Sequence, residues 1–252
     1  MDLEIKEKFV RLWEKYFDGA ELPIVFYYAD EPGEVEVMKP SRGRRCIMAD
    51  LSKVRAGKSL CFGAESIGCL GGKRYLGFTD EVMPDFEYFL SYGIPGKLEG
   101  ERYKKTPELV KEIIKRMPEF KAPGRFIVFK RWDMLEEMDE PHVVVFFAQP
   151  DVLSGLFTLA NFDEAEPGAV FAPFAAGCGS LVRYPYLEKS SERPRAVLGL
   201  FDVSARPFVS KDALSFSVPM VKFMRMIENM EESFLTTRSW SRVRQRIQWV
   251  NA

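Results

Sequence analysis

The sequence predicts an α/β or α+β fold, a single domain over residues 1–252 with a mixed sheet flanked by helices. Three observations carry this reading. "GRFIVFKR" (124–131) and "HVVVFFA" (142–148) are β-branched and aromatic with little polar alternation, as in strands covered on both faces. The second runs into "QPDVLSGLFTLANF", and strand, tight turn and helix is the βα unit of a layered fold. Amphipathic helices at 3–17 and 106–117 supply faces to cover such a sheet.

The elements follow in chain order. Leu3, Ile5, Phe9, Leu12, Trp13, Tyr16 and Phe17 recur mostly at helical spacing, with Lys and Glu between them, so residues 1–18 form an N-terminal helix. "LPIVFYYA" (22–29) is a buried strand. "DEPGEVEVMKPSRGRR" (30–45) is a loop punctuated by Pro and Gly. "CIMADLSKVRAG" (46–57) is a helix ending at Gly57, and a short strand follows around "SLCFGA". "DFEYFLSYG" (85–93) reads as a helix stopped by glycine. "TPELVKEIIKRM" (106–117) has Thr106 as N-cap, Pro107 at N1 and Glu108 in the first turn. "AVLGLFD" (196–202) is a strand, and "SFSVPMVKFMRMIENM" (215–230) is a short strand and then a helix after Pro219. Residues 233–252 contain no acid but carry Arg238, Arg242, Arg244 and Arg246. They form a basic C-terminal helix that packs Trp240, Val243 and Ile247 on the domain.

Composition narrows the function classes. Apolar residues make up 46% and charged residues 29% of the 252, and 21 are phenylalanine. That suits a filled interior with aromatics to spare for a pocket. The net charge of −1 gives no global field for nucleic acid or an anionic membrane. Nucleic acid is an unlikely partner even though Trp240 and Trp249 lie among the C-terminal arginines. The apolar stretches 143–148 and 169–176 are too short to span a bilayer. The N-terminus "MDLEIKEKFV" has no apolar h-region, so the expected location is cytoplasmic. Cysteines there stay reduced.

The four cysteines are Cys46, Cys61, Cys69 and Cys178, separated by 14, 7 and 108 residues. No gap matches the tight spacing of zinc ribbons or bacterial ferredoxins. Local context says more. Cys46 follows "RGRR" at a helix start, where the dipole and the arginines favour a thiolate. Cys69 lies in "GCLGG" with Gly68, Gly71 and Gly72, and Cys178 lies in "GCGS". Such glycines let the backbone approach a ligand and aim N–H groups at it. Cys61, between Leu60 and Phe62 in a strand, is the one that burial as a small hydrophobe explains most simply.

The chain resembles the domain-of-unknown-function family number 169, from about residue 20 to about 230. The resemblance rests on Cys46 with Ala56 and Gly57, on "ESIGCLGGKRYLGF" (65–78), on "VVVFFAQP" (143–150) and on "AAGCGSLVRYP" (175–185). It implies no biochemical activity. It implies that Cys46, Cys69 and Cys178 are the recurring cysteines, and that the position of Cys61 is less regularly cysteine.

Three functional readings follow. In the first, Cys46, Cys61, Cys69 and Cys178 converge on a soft metal centre, an iron–sulfur cluster of the [4Fe–4S] type, since four thiolates is its ligand count; a redox partner would go with it. In the second, the chain binds an anionic small molecule without metal, using Gly68, Gly71, Gly72, Lys73 and Arg74 after the double glycine, and Gln149 at the "AQP" turn. In the third, Cys46 or Cys69 is a redox-active or nucleophilic thiol of depressed pKa. His142 is the only histidine and reads as packed or solvated. That disfavours histidine-dependent triads.

Overall fold

The computed structural model describes residues 1–40 and 46–250, the side chains of 248–250 excepted. The end of the expected loop, 41–45, and the Trp249 side chain therefore lie outside the described residues. Helix α1 (Leu3–Phe17) is capped by Asp2, whose carboxylate accepts from the Glu4 N–H at 2.8 Å. The chain continues through β1 (Ile24–Ala29), α2 (Ile47–Arg55), β2 (Leu60–Gly63), α3 (Leu70–Tyr75), α4 (Phe86–Phe89), α5 (Pro107–Arg116), β3 (Phe126–Arg131) and β4 (Val143–Ala148). Then come α6 (Pro150–Ala160), β5 (Val170–Phe171), a π-helical turn (Gly179–Arg183) leading into α7 (Tyr184–Glu188), β6 (Ala196–Gly199), β7 (Leu214–Pro219), α8 (Met220–Asn229) and α9 (Arg238–Val250). Thr106 caps α5 with Pro107 at its start, as the sequence indicates.

The strands form one mixed seven-stranded sheet in the order β2-β3-β1-β4-β7-β6-β5. The fold is α/β in composition, but the ladders are antiparallel except for β5 with β6. The β4–α6 unit exists, yet β4 pairs with β1 and β7 in antiparallel sense. A local strand–turn–helix signal does not fix the direction of the strands that later flank it.

Alternation along the strands sends side chains to two cores. Val144, Phe146 and Ala148 of β4 join a cluster covered by α1, α6, α8 and α9. Here Phe9 packs edge-on against Trp132 and Phe223, each with ring centroids 5.0 Å away. Trp240 of α9 is buried and donates its indole N–H to the Tyr16 carbonyl at 2.8 Å. Val143, Val145 and Phe147 face the other cluster, which receives Ile47, Met48 and Leu51 of α2, Leu181 and Val182 of the π turn, and Cys178. Between β2 and β3 the chain leaves the sheet and builds α3, α4 and α5.

The first core ends in a buried ion pair. Lys222, 1% exposed, donates to Glu164 at 2.9 Å, and Arg225 and Arg193 donate to the same carboxylate at 2.9 and 3.3 Å. The Lys222 hydrogen bond first, with its charge and the two arginines in support, holds Glu164 down to about 2. A depressed carboxylate stabilises the fold above its unfolded value, 4.5, and that stability is lost as pH falls toward about 2. Urea unfolding should show this decline in the native chain. Glu164→Gln should be weaker at neutral pH by about 3–5 kcal/mol, because it strands a buried ammonium, and should lack that part of the acid decline.

Candidate functional site

Three cysteines come together at helix starts on the α2 face of the sheet. Cys46 is the N-cap of α2 and Cys69 the N-cap of α3, while Cys178 lies just before the π turn. Each of the three thiols is within electrostatic range of the other two. Cys61 is not among them. It sits opposite Val128 in the β2–β3 ladder, and its neighbours Leu60 and Phe62 point into the α2-side cluster. Cys61 therefore turns to the opposite face, toward Tyr27. All four cysteines are free. Among the described residues no group of three or more His, Cys, Asp or Glu side chains is arranged to hold a metal ion.

Burial sets the protonation of these thiols. It pushes Cys46 above its ordinary value, with the Cys69 and Asp202 charges adding and the Met48 N–H opposing. The lowering expected from a helix start is outweighed by desolvation; the adjacent "RGRR" arginines lie outside the described residues. Burial also raises Cys178, and pushes Cys61 up to about 11. His142 is packed against Tyr28 and Tyr186, and its Nδ1 accepts from the Tyr28 N–H at 3.2 Å. Desolvation lowers it to about 4.

The double glycine is not a turn. Gly71 and Gly72 lie inside α3, and the Gly72 N–H donates to the Cys69 sulfur at 3.5 Å. A thiol cap thus does what Ser or Asp does elsewhere, and starts a helix where glycine content argues against one. Gly68 precedes that cap. Lys73 and Arg74 fall in the last turn. Gly179 allows the π turn to press on α3, since a Cβ there would lie 2.8 Å from the Tyr75 ring. Gln149 is the N-cap of α6, whose buried residues join the opposite cluster, so the structure does not bring it to Cys69.

A cavity of about 360 Å³ opens between the segments that follow Cys69 and precede Cys178. Leu70, Gly71, Arg74 and Tyr75 of α3 form one wall, and Phe86 and Phe89 of α4 with Val110, Ile113 and Ile114 of α5 form another. Ala175 and Ala176, just before Cys178, and Phe201 to Ser204, after β6, complete it. Asp202 pins the last two segments together. Its carboxylate accepts from the Gly177 N–H at 3.1 Å and from the Ser204 N–H and hydroxyl at 3.0 and 2.8 Å. Three non-glycine residues among those described have positive φ: Asp85 (58°), Arg102 (55°) and Leu200 (65°). Each lies beside a lining residue. Abundant phenylalanine hinted at such a pocket, but its lining is drawn from segments more than 100 residues apart, so sequence alone did not locate it.

The model of the family DUF169, described as uncharacterised ArCR, matches residues 15–229. The chain belongs to DUF169. The cavity and all four cysteines fall inside the matched span. No curated protein and no solved structure gives a significant match. No helix among the described residues is long and apolar enough to cross a membrane.

Exposure separates the thiols experimentally. Cys46 and Cys69 are partly exposed, whereas Cys61 and Cys178 are buried. Alkylation of the native protein, mapped by mass spectrometry, should label the first two and reach the others only after unfolding. The Cys46 rate should rise with a midpoint above that of a free cysteine, because burial favours the neutral thiol.

Proposed function

We propose that the chain binds a small, largely apolar organic molecule in this cavity, with Cys46, Cys69 and Cys178 as the chemistry-bearing group at its edge. One observation carries the reading: the cavity shares its segments with two of the thiols, Cys69 and Cys178. Cys69 is followed directly by the lining residues Leu70 and Gly71, and Cys178 comes two residues after Ala176. Asp202 lines the cavity and acts electrostatically on both Cys46 and Cys178. The volume is within the range of small-molecule sites, about 300–1,000 Å³, and the lining is aromatic and aliphatic with few polar groups. The strained backbone at Leu200, Asp85 and Arg102 is of the kind that collects at ligand sites.

The neutral fluorophore N-phenyl-1-naphthylamine tests this. It should bind saturably with about one site per chain. Gly71→Phe should weaken it at least tenfold without lowering Tm, because a Cβ at Gly71 meets only the Cys69 sulfur, at 3.7 Å. Binding that does not saturate, or that ignores this substitution, overturns the reading.

A second reading is favoured by the gathering of three thiols at helix starts, two of them beside glycine and one receiving a backbone N–H. In it Cys46, Cys69 and Cys178 would hold an iron–sulfur cluster, which would supply one-electron chemistry. Their side chains would have to turn to a common centre, and Cys61 takes no part. Anaerobic reconstitution should then yield about four iron and four sulfide per chain. Cys61→Ala should keep them, and Cys69→Ala or Cys178→Ala should lose them. An iron-free, colourless native chain after reconstitution rules the cluster out.

A further inference from the structure

Among the described residues Arg183 is a buried cation without an ion-pair partner. It is 3% exposed, its Nη2 donates to the Pro118 carbonyl, and its Nε is buried with no hydrogen-bond partner. Among the described residues neither Arg183 nor Arg74 forms an ion pair. Arg74 donates to the Asp80 carbonyl, and its charge is the one that acts most strongly on Arg183, with the Asp80 carboxylate opposing more weakly. Two like charges are thus held close, one of them out of water. Such an arrangement favours an anion beside it.

The place for that anion is the cavity. The π turn that ends at Arg183 is pressed on α3 at Tyr75. Pro118, which holds the guanidinium, follows Met117, and Met117 lines the cavity together with Arg74 and Tyr75. Arg183 therefore stands close behind the wall that Arg74 presents. The carboxylates of the lining do not serve as its partner. Asp202 is spent on Gly177 and Ser204, and both Glu81 and Glu101 are exposed at the rim.

Building on the cavity reading above, we propose that the ligand is an amphipathic organic acid. Its carboxylate or phosphate group is held by Arg74, with the buried Arg183 charge behind it, and its apolar body lies among Phe86, Phe89 and Ile113. Arg74 makes the contact and Arg183 acts through the low-dielectric wall. This fixes which end of the ligand points toward α3.

Displacement of N-phenyl-1-naphthylamine by decanoate, decyl phosphate and decanamide tests the proposal. Decanoate or decyl phosphate should displace the probe at least tenfold more tightly than decanamide, and the tighter of the two names the headgroup. Arg74→Gln should level the acids with the amide, weakening the acids at least tenfold more than decanamide, and Arg74→Lys should restore part of the preference. Arg183→Met should lower the preference as well; if that variant does not fold, Arg74→Gln decides alone. Equal affinity for amide and acids, or a preference that survives Arg74→Gln, overturns the proposal while the cavity reading stands. If the probe itself does not bind the native chain, the cavity reading fails and this proposal fails with it.

Discussion

The contact of the π turn with α3 is the interaction on which the site depends. Gly179 makes it possible, because any side chain there would collide with Tyr75. The contact draws Cys178 to Cys69, ends with Arg183 behind Arg74, and directs Ala175 and Ala176 into the cavity wall. A π turn carries an extra residue relative to the α-helical repeat, and such insertions are common at functional sites because they re-aim side chains. Here the turn ends on a buried guanidinium, that of Arg183.

Buried cations elsewhere in the chain show that this is not how the fold treats charge in general. Lys130 is buried and meets Glu136 and Asp139 at 2.7 and 2.9 Å. Lys222 is buried and meets Glu164. Both lie where the sheet and its helices are simply being held together. Removal of a buried charge from water is tolerated when a carboxylate stays with it. Among the described residues Arg183 is met by a carbonyl and by no ion-pair partner, and it is the buried cation that stands next to the cavity wall. The exception and the cavity coincide, and that coincidence favours a ligand as the missing partner over a packing fault.

Much of the frame was legible in the sequence because burial on one stripe or on both faces leaves a periodic trace. Phe9, Trp13 and Phe17 announced α1, and "HVVVFFA" announced a strand covered on both sides. The flanking Leu60 and Phe62 marked Cys61 as the cysteine that burial explains most simply, although the expected four-thiolate set still included it; the strand register takes it away from the other three. What stayed hidden was set by tertiary contact. The helix through Gly71 and Gly72 exists because a cysteine caps it and the π turn lies on it. The strand expected over 196–202 stops at Gly199 because Leu200 adopts a left-handed conformation, its N–H held by the Ser180 hydroxyl at 3.3 Å. Glycines beside Cys69 and Cys178 pointed to the right loops. The cavity between them left no periodic trace at all.

The cost of that cavity is concentrated in its own walls. Leu200, Asp85 and Arg102 hold backbone conformations that L-residues with side chains disfavour, and each precedes a lining residue, Phe201, Phe86 or Tyr103. Such conformations persist only where the surroundings over-determine them. The sheet supplies that rigidity: its two aromatic cores fix β6 and β7, and β6 leads through the buried Leu200 to the lining residues Phe201 and Asp202. Asp202 then ties the rim to Gly177, one residue before Cys178. The strained Leu200, Cys178 and the guanidinium of Arg183 therefore lie along one connection, running from the sheet through β6 and Asp202 to the π turn. A ligand that touched Arg74 would be in contact with the end of it.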